Sequence, residues 1–337
     1  QIKFTLYSLE KQTYPLAKME VILVDDCSTD RTFTLRNYTA PFRFKYLRSD
    51  TNLGRSGAKN LGLREAEGEI IIFLNGDVMV DPNFVSNHLR HYQTNDKIAV
   101  SGNASHYSTF TVLCPGFSTE QIKRLHSVIR GRPFLIKHLS NRLYLPYEYI
   151  QSLNTFWQYA RKNQRTITLF TKKHIHAQQF KLLSFPTPYF PSQIIEKYGA
   201  HLTGFHLAWT YFITRNVSVR KSLLEEVGPF NEIFKGWGSE DWELGYRLYK
   251  KGVKILDQML NYAKFTFLHP EAEVCAIALG ILGKRNFFEN NDIIDDYYQI
   301  QKEFPDYVHS QKAFIKLTQQ ILVLMAREKP VTGLWRQ

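Results

Sequence analysis

The chain is poor in cysteine and has no long apolar run, and one stretch of it is nearly without acid. Cys27, Cys114 and Cys275 are an odd number with no CxxC spacing. That pattern excludes a disulfide framework or a thiolate zinc site as the organising feature and leaves reduced, partly buried thiols as the expected state. No apolar stretch reaches the ~20 residues that cross a bilayer. Gln1-Ile2-Lys3-Phe4-Thr5-Leu6 lacks the charged, apolar and small-residue regions of a secretory leader, so the expected setting is cytoplasmic. Between Glu120 and Lys181 two acids, Glu120 and Glu148, stand against twelve Lys or Arg, and this stretch carries +10 of the net +12. It is interleaved with Phe134, Tyr144, Tyr147, Tyr149, Phe156, Trp157 and Tyr159. Such a mixture suits peripheral contact with an anionic membrane at its inner face, and equally a solvated basic face over an aromatic core. No recognised nucleic-acid module accompanies the charge, so no nucleic-acid partner is expected.

With 337 residues, 44% of them hydrophobic, the chain can bury one large core, and one catalytic domain with extensions is expected. The amino third alternates between strand and helix signals. Ile2, Leu6 and Leu9 have helical spacing up to Tyr14-Pro15, and Glu20 to Val24 is a β-branched run closed by Asp25-Asp26-Cys27-Ser28-Thr29-Asp30. Phe42 to Leu47 alternates like a strand, Ala58 to Glu65 reads as a helix and Glu69 to Leu74 as a buried strand. Residues 82 to 93 read as a helix, and Lys97 to Gly102 as a strand. This alternation predicts a mostly parallel sheet with helices on both faces. From about Thr109 to Gly199 the alternation gives way to basic, aromatic, helical stretches, and order returns with a strand at Phe212 to Val219 and a helix at Lys221 to Glu226. The expected division is 1–105 and 206–270 as the two halves of one α/β domain, 106–205 as a basic helical insertion, and 271–337 as a helical extension.

Two acidic elements carry the chemistry. Gly236-Trp237-Gly238-Ser239-Glu240-Asp241-Trp242 puts adjacent carboxylates behind an aromatic-flanked turn. There Ser239 and the acids could do no more than start a helix, or the pair could hold a hydroxyl and remove its proton. Far upstream, Asn75-Gly76-Asp77 closes the apolar run ending in Leu74, at a strand's carboxyl end, where open α/β sheets place their ligands.

Taken in order, Val24-Asp25-Asp26-Cys27-Ser28-Thr29-Asp30, Asn52-Leu53-Gly54, Ala58-Lys59-Asn60-Leu61-Gly62 and Glu67 to Asp77 resemble a family 2 glycosyltransferase of GT-A fold. Asn216 to Arg247 is similar to the acceptor region of galactosyltransferases and chondroitin-polymerase-like enzymes. The resemblance implies a Rossmann-like α/β domain and metal-dependent, inverting hexosyl transfer from a UDP-sugar to a saccharide or glycolipid hydroxyl, in cell-surface polysaccharide synthesis. Asp25 and Asp26 would receive uracil or ribose hydrogen bonds, with an Asx-type turn as their alternative role. Gly54 would let the backbone pass close to the nucleotide, and Arg55 or Lys59 would meet the diphosphate. Asn75-Gly76-Asp77 stands where the family has Asp-x-Asp. Asp77 would be the direct ligand to Mn²⁺ or Mg²⁺, Asn75 a neutral partner for ribose or metal-bound water, and His269 a further metal ligand. Asp241 would be the general base, Glu240 would hold a neighbouring acceptor hydroxyl, and Trp237 and Gly238 would border the acceptor, with Trp242 a weaker stacking candidate or core residue. Asn75 motivates an alternative, a catalytically weak saccharide-binding or scaffold protein on the same fold. Family members also begin with an apolar strand in mid-sheet, so an additional strand upstream of residue 1 is expected.

Overall fold

The computed structural model describes residues 2–102, 107–114, 117–186, 195, 197–205, 207–234, 240–257 and 265–267. The amino half follows the strand and helix alternation. Helix α1 (Ile2–Leu9) leads to β1 (Glu20–Asp26), a 3₁₀ segment (Arg31–Asn37), β2 (Arg43–Ser49), α2 (Gly54–Glu65) and β3 (Ile70–Leu74). A short β4 (Val78–Met79), α3 (Phe84–Leu89) and β5 (Ile98–Ser101) follow. β6 (Tyr107–Thr109) and β7 (Val112–Leu113) open the insertion. Its helices are α4 (Thr119–Ile129), α5 (Pro133–Leu143), α6 (Tyr147–Gln151), α7 (Leu153–Lys162) and, after β8 (Ile167–Thr168), α8 (Lys172–His176). β9 (Ser184–Pro186) closes it. A 3₁₀ turn (Ala208–Tyr211), β10 (Asn216–Arg220), α9 (Lys221–Val227), α10 (Glu240–Lys250), β11 (Lys254–Asp257) and β12 (Phe265–Phe267) complete the chain described.

The α/β class is the expected one, but the sheet is mixed. β1 pairs with β2 in parallel, and β5 with β11 in parallel. β10 lies antiparallel between β3 and β5, because the chain re-enters the sheet at the end where β5 left it, Val217 standing opposite Ser101. The central order is β11-β5-β10-β3, and a second sheet, β4-β12-β6-β9, joins the insertion to the amino half. The strand expected over Phe212 to Val219 is confined to Asn216–Arg220, Ala208–Tyr211 being a 3₁₀ turn.

β1 and β3 face each other across a cavity of about 1180 Å³, whose walls include Val21 to Val24 and Ile70 to Leu74. Among the described residues each pairs along one edge only. Their aliphatic side chains are therefore half exposed, whereas β5, paired along both edges, is buried throughout. This corrects the expectation of a buried β3.

The insertion has its own core, with Leu125, Leu139, Phe156 and Phe180 at its centre, reached by Phe4 and Met79 of the amino half. Glu10, at the end of α1, fastens the two bodies. It is bound by Lys172 Nζ at 2.8 Å, by His176 Nε2 at 2.9 Å and by the Tyr38 hydroxyl. Burial alone would raise the Glu10 carboxyl, but the hydrogen bonds from Lys172, Tyr38 and His176 outweigh it and hold the group below the usual carboxylate range. Lys181 pairs similarly with Asp81. No ion pair among the described residues joins the other ten Lys and Arg of this stretch.

Beneath β10 lies a buried polar chain. His88 Nε2 is 2.9 Å from Asn216 Oδ1, its Nδ1 is 2.8 Å from Ser218 Oγ, and the Tyr92 hydroxyl is 2.9 Å from the same Oγ. A carboxamide oxygen only accepts, so Nε2 carries a proton; in the neutral ring Nδ1 then accepts from Ser218, and Ser218 accepts from Tyr92. Asn216 Nδ2 continues the chain to the Gly102 carbonyl at 3.1 Å. A methyl on Gly102 would collide with the Asn216 side chain. Burial pushes His88 down to about 4, which keeps the imidazole neutral. A folded-state value below the unfolded one means that the unfolded chain binds the extra proton first. The contribution is therefore complete above about pH 6.5 and is lost as pH falls towards 4. Urea unfolding should show up to ~3 kcal/mol lost across that window, a slope that His88→Leu lacks.

Candidate active site

The two acids sit in the first turn of α10, where their charge complements the helix's positive end. Glu240 is 1% exposed. Asp241 accepts from the Thr214 hydroxyl at 2.7 Å and from the Thr214 N–H at 3.2 Å. Lys59 joins the pair, with Nζ 3.0 Å from Glu240 Oε1 and 2.7 Å from Asp241 Oδ1. Glu240 Oε2 is buried with no hydrogen-bond partner among the described residues.

Packing places α10 so that this turn reaches Thr214. A methyl on Gly245 would stand 2.7 Å from both the Trp209 carbonyl oxygen and Phe212 Cβ, so glycine alone lets the helix lie this close. The Trp242 indole donates to the Thr210 carbonyl at 3.0 Å and meets Trp209 edge-on. Trp242 is thus packed, half-buried, against the core of the carboxyl half, in keeping with the second of the roles foreseen for it. At the other end, Arg247 pairs with Glu243 at 2.7 Å and donates to the Gly228 and Pro229 carbonyls.

Helix α2 supplies what sequence reasoning missed. Its Ser56, Lys59 and Asn60, at helical spacing on one face, all reach the carboxyl half. Ser56 Oγ donates to the Phe234 carbonyl at 3.3 Å. Asn60 pairs with both backbone groups of Phe230 at 2.9 Å and donates to Glu232. Lys59 Nζ lies 4.9 Å from the centre of the Phe230 ring. The signal available was the Ser-x-x-Lys-Asn spacing itself, which the sequence reading assigned to the donor side.

Of the residues expected on the donor side, Asp25, Arg55, Lys59, Asn75 and Asp77 line the cavity beside β1 and β3, and Thr214 lines it with them. Glu240 and Asp241 do not line this cavity themselves but are tied to it through Lys59 and Thr214, which do. Asp25 is buried and bound by Ser28 N–H at 2.8 Å, Arg48 at 2.7 Å and the Tyr46 hydroxyl. Desolvation would raise its carboxyl, but the bonds from Ser28, Tyr46 and Arg48 hold it below the usual range. The Ser28 bond is the turn role named as its alternative. Asp26 accepts from Leu53 N–H at 2.7 Å and so holds the loop entering α2. Gly54, at φ +72°, takes a conformation that suits glycine, which is a backbone reason for its presence. The Asn75-Gly76-Asp77 turn is held by the Thr5 hydroxyl on the Gly76 carbonyl at 2.9 Å and by Asn75 N–H on the Arg215 carbonyl. Among the described residues no three His, Cys, Asp or Glu cluster as a metal site. One carboxylate and one amide oxygen nonetheless fit a hard cation that takes its remaining ligands from phosphate and water. Trp237, Gly238 and His269 lie outside the described residues, as do Ser239 and Cys275. Cys27 and Cys114 are free and half-buried.

The family model for glycosyl transferase family 2 matches residues 1–181. The chain belongs to glycosyl transferase family 2. The model for the N-terminal domain of galactosyltransferase matches residues 197–269, so the family 2 half is followed by a region of a second recognised type. The architecture described above agrees with the GT-A fold expected from the sequence. An uncharacterized glycosyltransferase of Bacillus subtilis, YfnE, is 26% identical over 254 residues, covering 74% of this chain and 57% of YfnE. Chondroitin synthase of Pasteurella multocida is 26% identical over 257 residues, covering 75% of this chain and 22% of that enzyme. The chain thus spans little more than half of the first of these family 2 relatives and less of the second. The crystal structure of Staphylococcus aureus TarS 1-349 with UDP-GlcNAc matches at TM-score 0.47 and 15% identity, over 96% of this chain and 67% of that one.

Asn60→Leu removes three hydrogen bonds and leaves the buried Phe230 backbone groups unpaired. It should lower the stability of this family 2 protein by ~2 kcal/mol in urea unfolding.

Proposed function

We propose that the protein is an inverting, metal-dependent hexosyltransferase that moves a sugar from a UDP-sugar to a saccharide or glycolipid hydroxyl, in cell-surface polysaccharide synthesis. The observation that carries this reading is the shared opening. Asn75 and Asp77 line the same cavity as Thr214, whose hydroxyl and N–H hold Asp241.

Asp241 would take the proton of the attacking hydroxyl, and Glu240 would accept a hydrogen bond from a neighbouring hydroxyl. In-line attack at the anomeric carbon forms the new C–O bond as the bond to the nucleoside diphosphate breaks, and the configuration inverts. Arg55 would face the diphosphate from the start of α2, with Asp25 and Asp26 shaping the nucleotide end. Asp77, with Asn75 beside it and His269 as a further ligand, would hold Mn²⁺ or Mg²⁺, which when bound offsets charge on the departing diphosphate. The basic surface of the insertion, ten of whose cations have no acidic partner among the described residues, supports an anionic acceptor or membrane face as the docking surface. No helix among the described residues is long and apolar enough to cross a membrane.

The test is release of nucleoside diphosphate from a panel of UDP- and GDP-sugars, with p-nitrophenyl β-glycosides as acceptors and with Mn²⁺ or chelator. Metal-dependent release from a UDP-sugar is expected, reduced at least ~100-fold in Asp241→Asn and lost in Asp77→Ala. Undiminished transfer by Asp241→Asn would overturn the reading, and donor binding without transfer in the wild type would favour the saccharide-binding alternative.

A further inference from the structure

The sequence reading offered Lys59 to the donor diphosphate, yet its ammonium is engaged on the acceptor side. It is 18% exposed, lies within hydrogen-bond distance of Glu240 and Asp241, and is backed by the Phe230 ring. Its stem lines the donor cavity with Arg55, Asn75 and Asp77. Lys59 is therefore the side chain through which donor-side α2 touches the two acids.

Two acids side by side, one of them almost wholly buried, call for a counter-charge between them. Lys59 supplies that charge, and it does so asymmetrically. It binds Oε1 of Glu240 and leaves Oε2 buried with no hydrogen-bond partner among the described residues. A buried acceptor with no donor is costly unless a ligand supplies one. A hydroxyl group fits, since it can donate to Oε2 while an adjacent hydroxyl meets Asp241. Thr214 fixes the other side of Asp241 through its hydroxyl and N–H, so the carboxylate's position is set jointly by β10's approach and by Lys59.

We infer that Lys59 is a positioning residue for transfer: it fixes Glu240 with Oε2 presented to an acceptor diol and holds Asp241 beside Thr214, which lines the donor cavity, coupling the two substrate sites through α2. This rests on the glycosyl-transfer reading given above.

The test compares Lys59→Met and Lys59→Arg with wild type and Asp241→Asn in the full-length protein. Turnover uses the UDP-sugar that the wild type consumes, with p-nitrophenyl β-glycoside acceptors, and donor-side affinity is read from UDP binding with Mn²⁺ by calorimetry. Lys59→Met should lower kcat by ~100-fold, the scale of a misplaced catalytic group, and raise the acceptor KM, with the UDP Kd within about twofold of wild type. Lys59→Arg, which keeps the charge but not the compact head, should recover a substantial part of kcat. A tenfold or greater loss of UDP affinity at undiminished kcat would return Lys59 to the donor site and overturn the proposal. Wild-type kcat in Lys59→Met beside an inactive Asp241→Asn would overturn it too while leaving the glycosyl-transfer reading intact; an active Asp241→Asn would remove that reading itself. Should Lys59→Met fail to fold with Glu240 stranded, Lys59→Met/Glu240→Gln leaves Glu240's site uncharged. A UDP Kd equal to that of Glu240→Gln alone is then expected, and a tenfold weaker one overturns the inference.

Discussion

Two acids at the head of one helix, one of them almost out of reach of water, are held together by a single ammonium from a helix some 180 residues earlier. Removing one partner of a buried ion pair costs roughly 3–5 kcal/mol, so this contact constrains everything around it. Gly245 must be small for α10 to approach, Thr214 must stand at the entry to β10, and α2 must present Ser56, Lys59 and Asn60 on one face. Asn60 carries the constraint to the Phe230 turn, and Arg247 carries it from α10 to the carbonyls before that turn. The amino and carboxyl halves are in this sense one site-forming unit. The insertion, with its separate core, is tied instead through Glu10 and Asp81.

The sheet has the opposite character on its two sides. β5 and β10 are paired on both edges and buried, and the His88 network beneath them satisfies each polar group in one fixed direction of hydrogen bonding. β1 and β3, across the cavity from one another, are half exposed. Asp25-Asp26, the last residues of β1, and the Asn75-Gly76-Asp77 turn after β3 are at the carboxyl ends of those two strands. They are fixed by local bonds: Ser28 and Arg48 on Asp25, Leu53 on Asp26 and Thr5 on Gly76.

Much of this was legible in the residues. β-branched runs ending in acids gave β1 and β3 and put Asp25 and Asp77 at strand ends, and the Glu240-Asp241 pair was legible as a helix start. Less was legible where the partner is remote. β3 reads as buried because Ile70-Ile71-Ile72-Phe73-Leu74 is wholly apolar, while its exposure depends on which neighbours flank it. Trp242 has no sequence mark that separates sugar stacking from its packing on Trp209. Lys59 beside glycines suggests phosphate, and only the position of α10 directs it to carboxylates.

By itself the sequence determined the element order, the α/β class, the concentration of basic charge in the insertion and the identity of the acids, because periodicity, turn residues and composition are local properties of the chain. Tertiary structure alone decided the antiparallel entry of β10, the gap between β1 and β3, the neutral tautomer of His88 and the partner of Lys59. Each of these depends on which surfaces meet after the chain has closed over long separations, and a charge or an imidazole carries no local record of the group that will be brought against it.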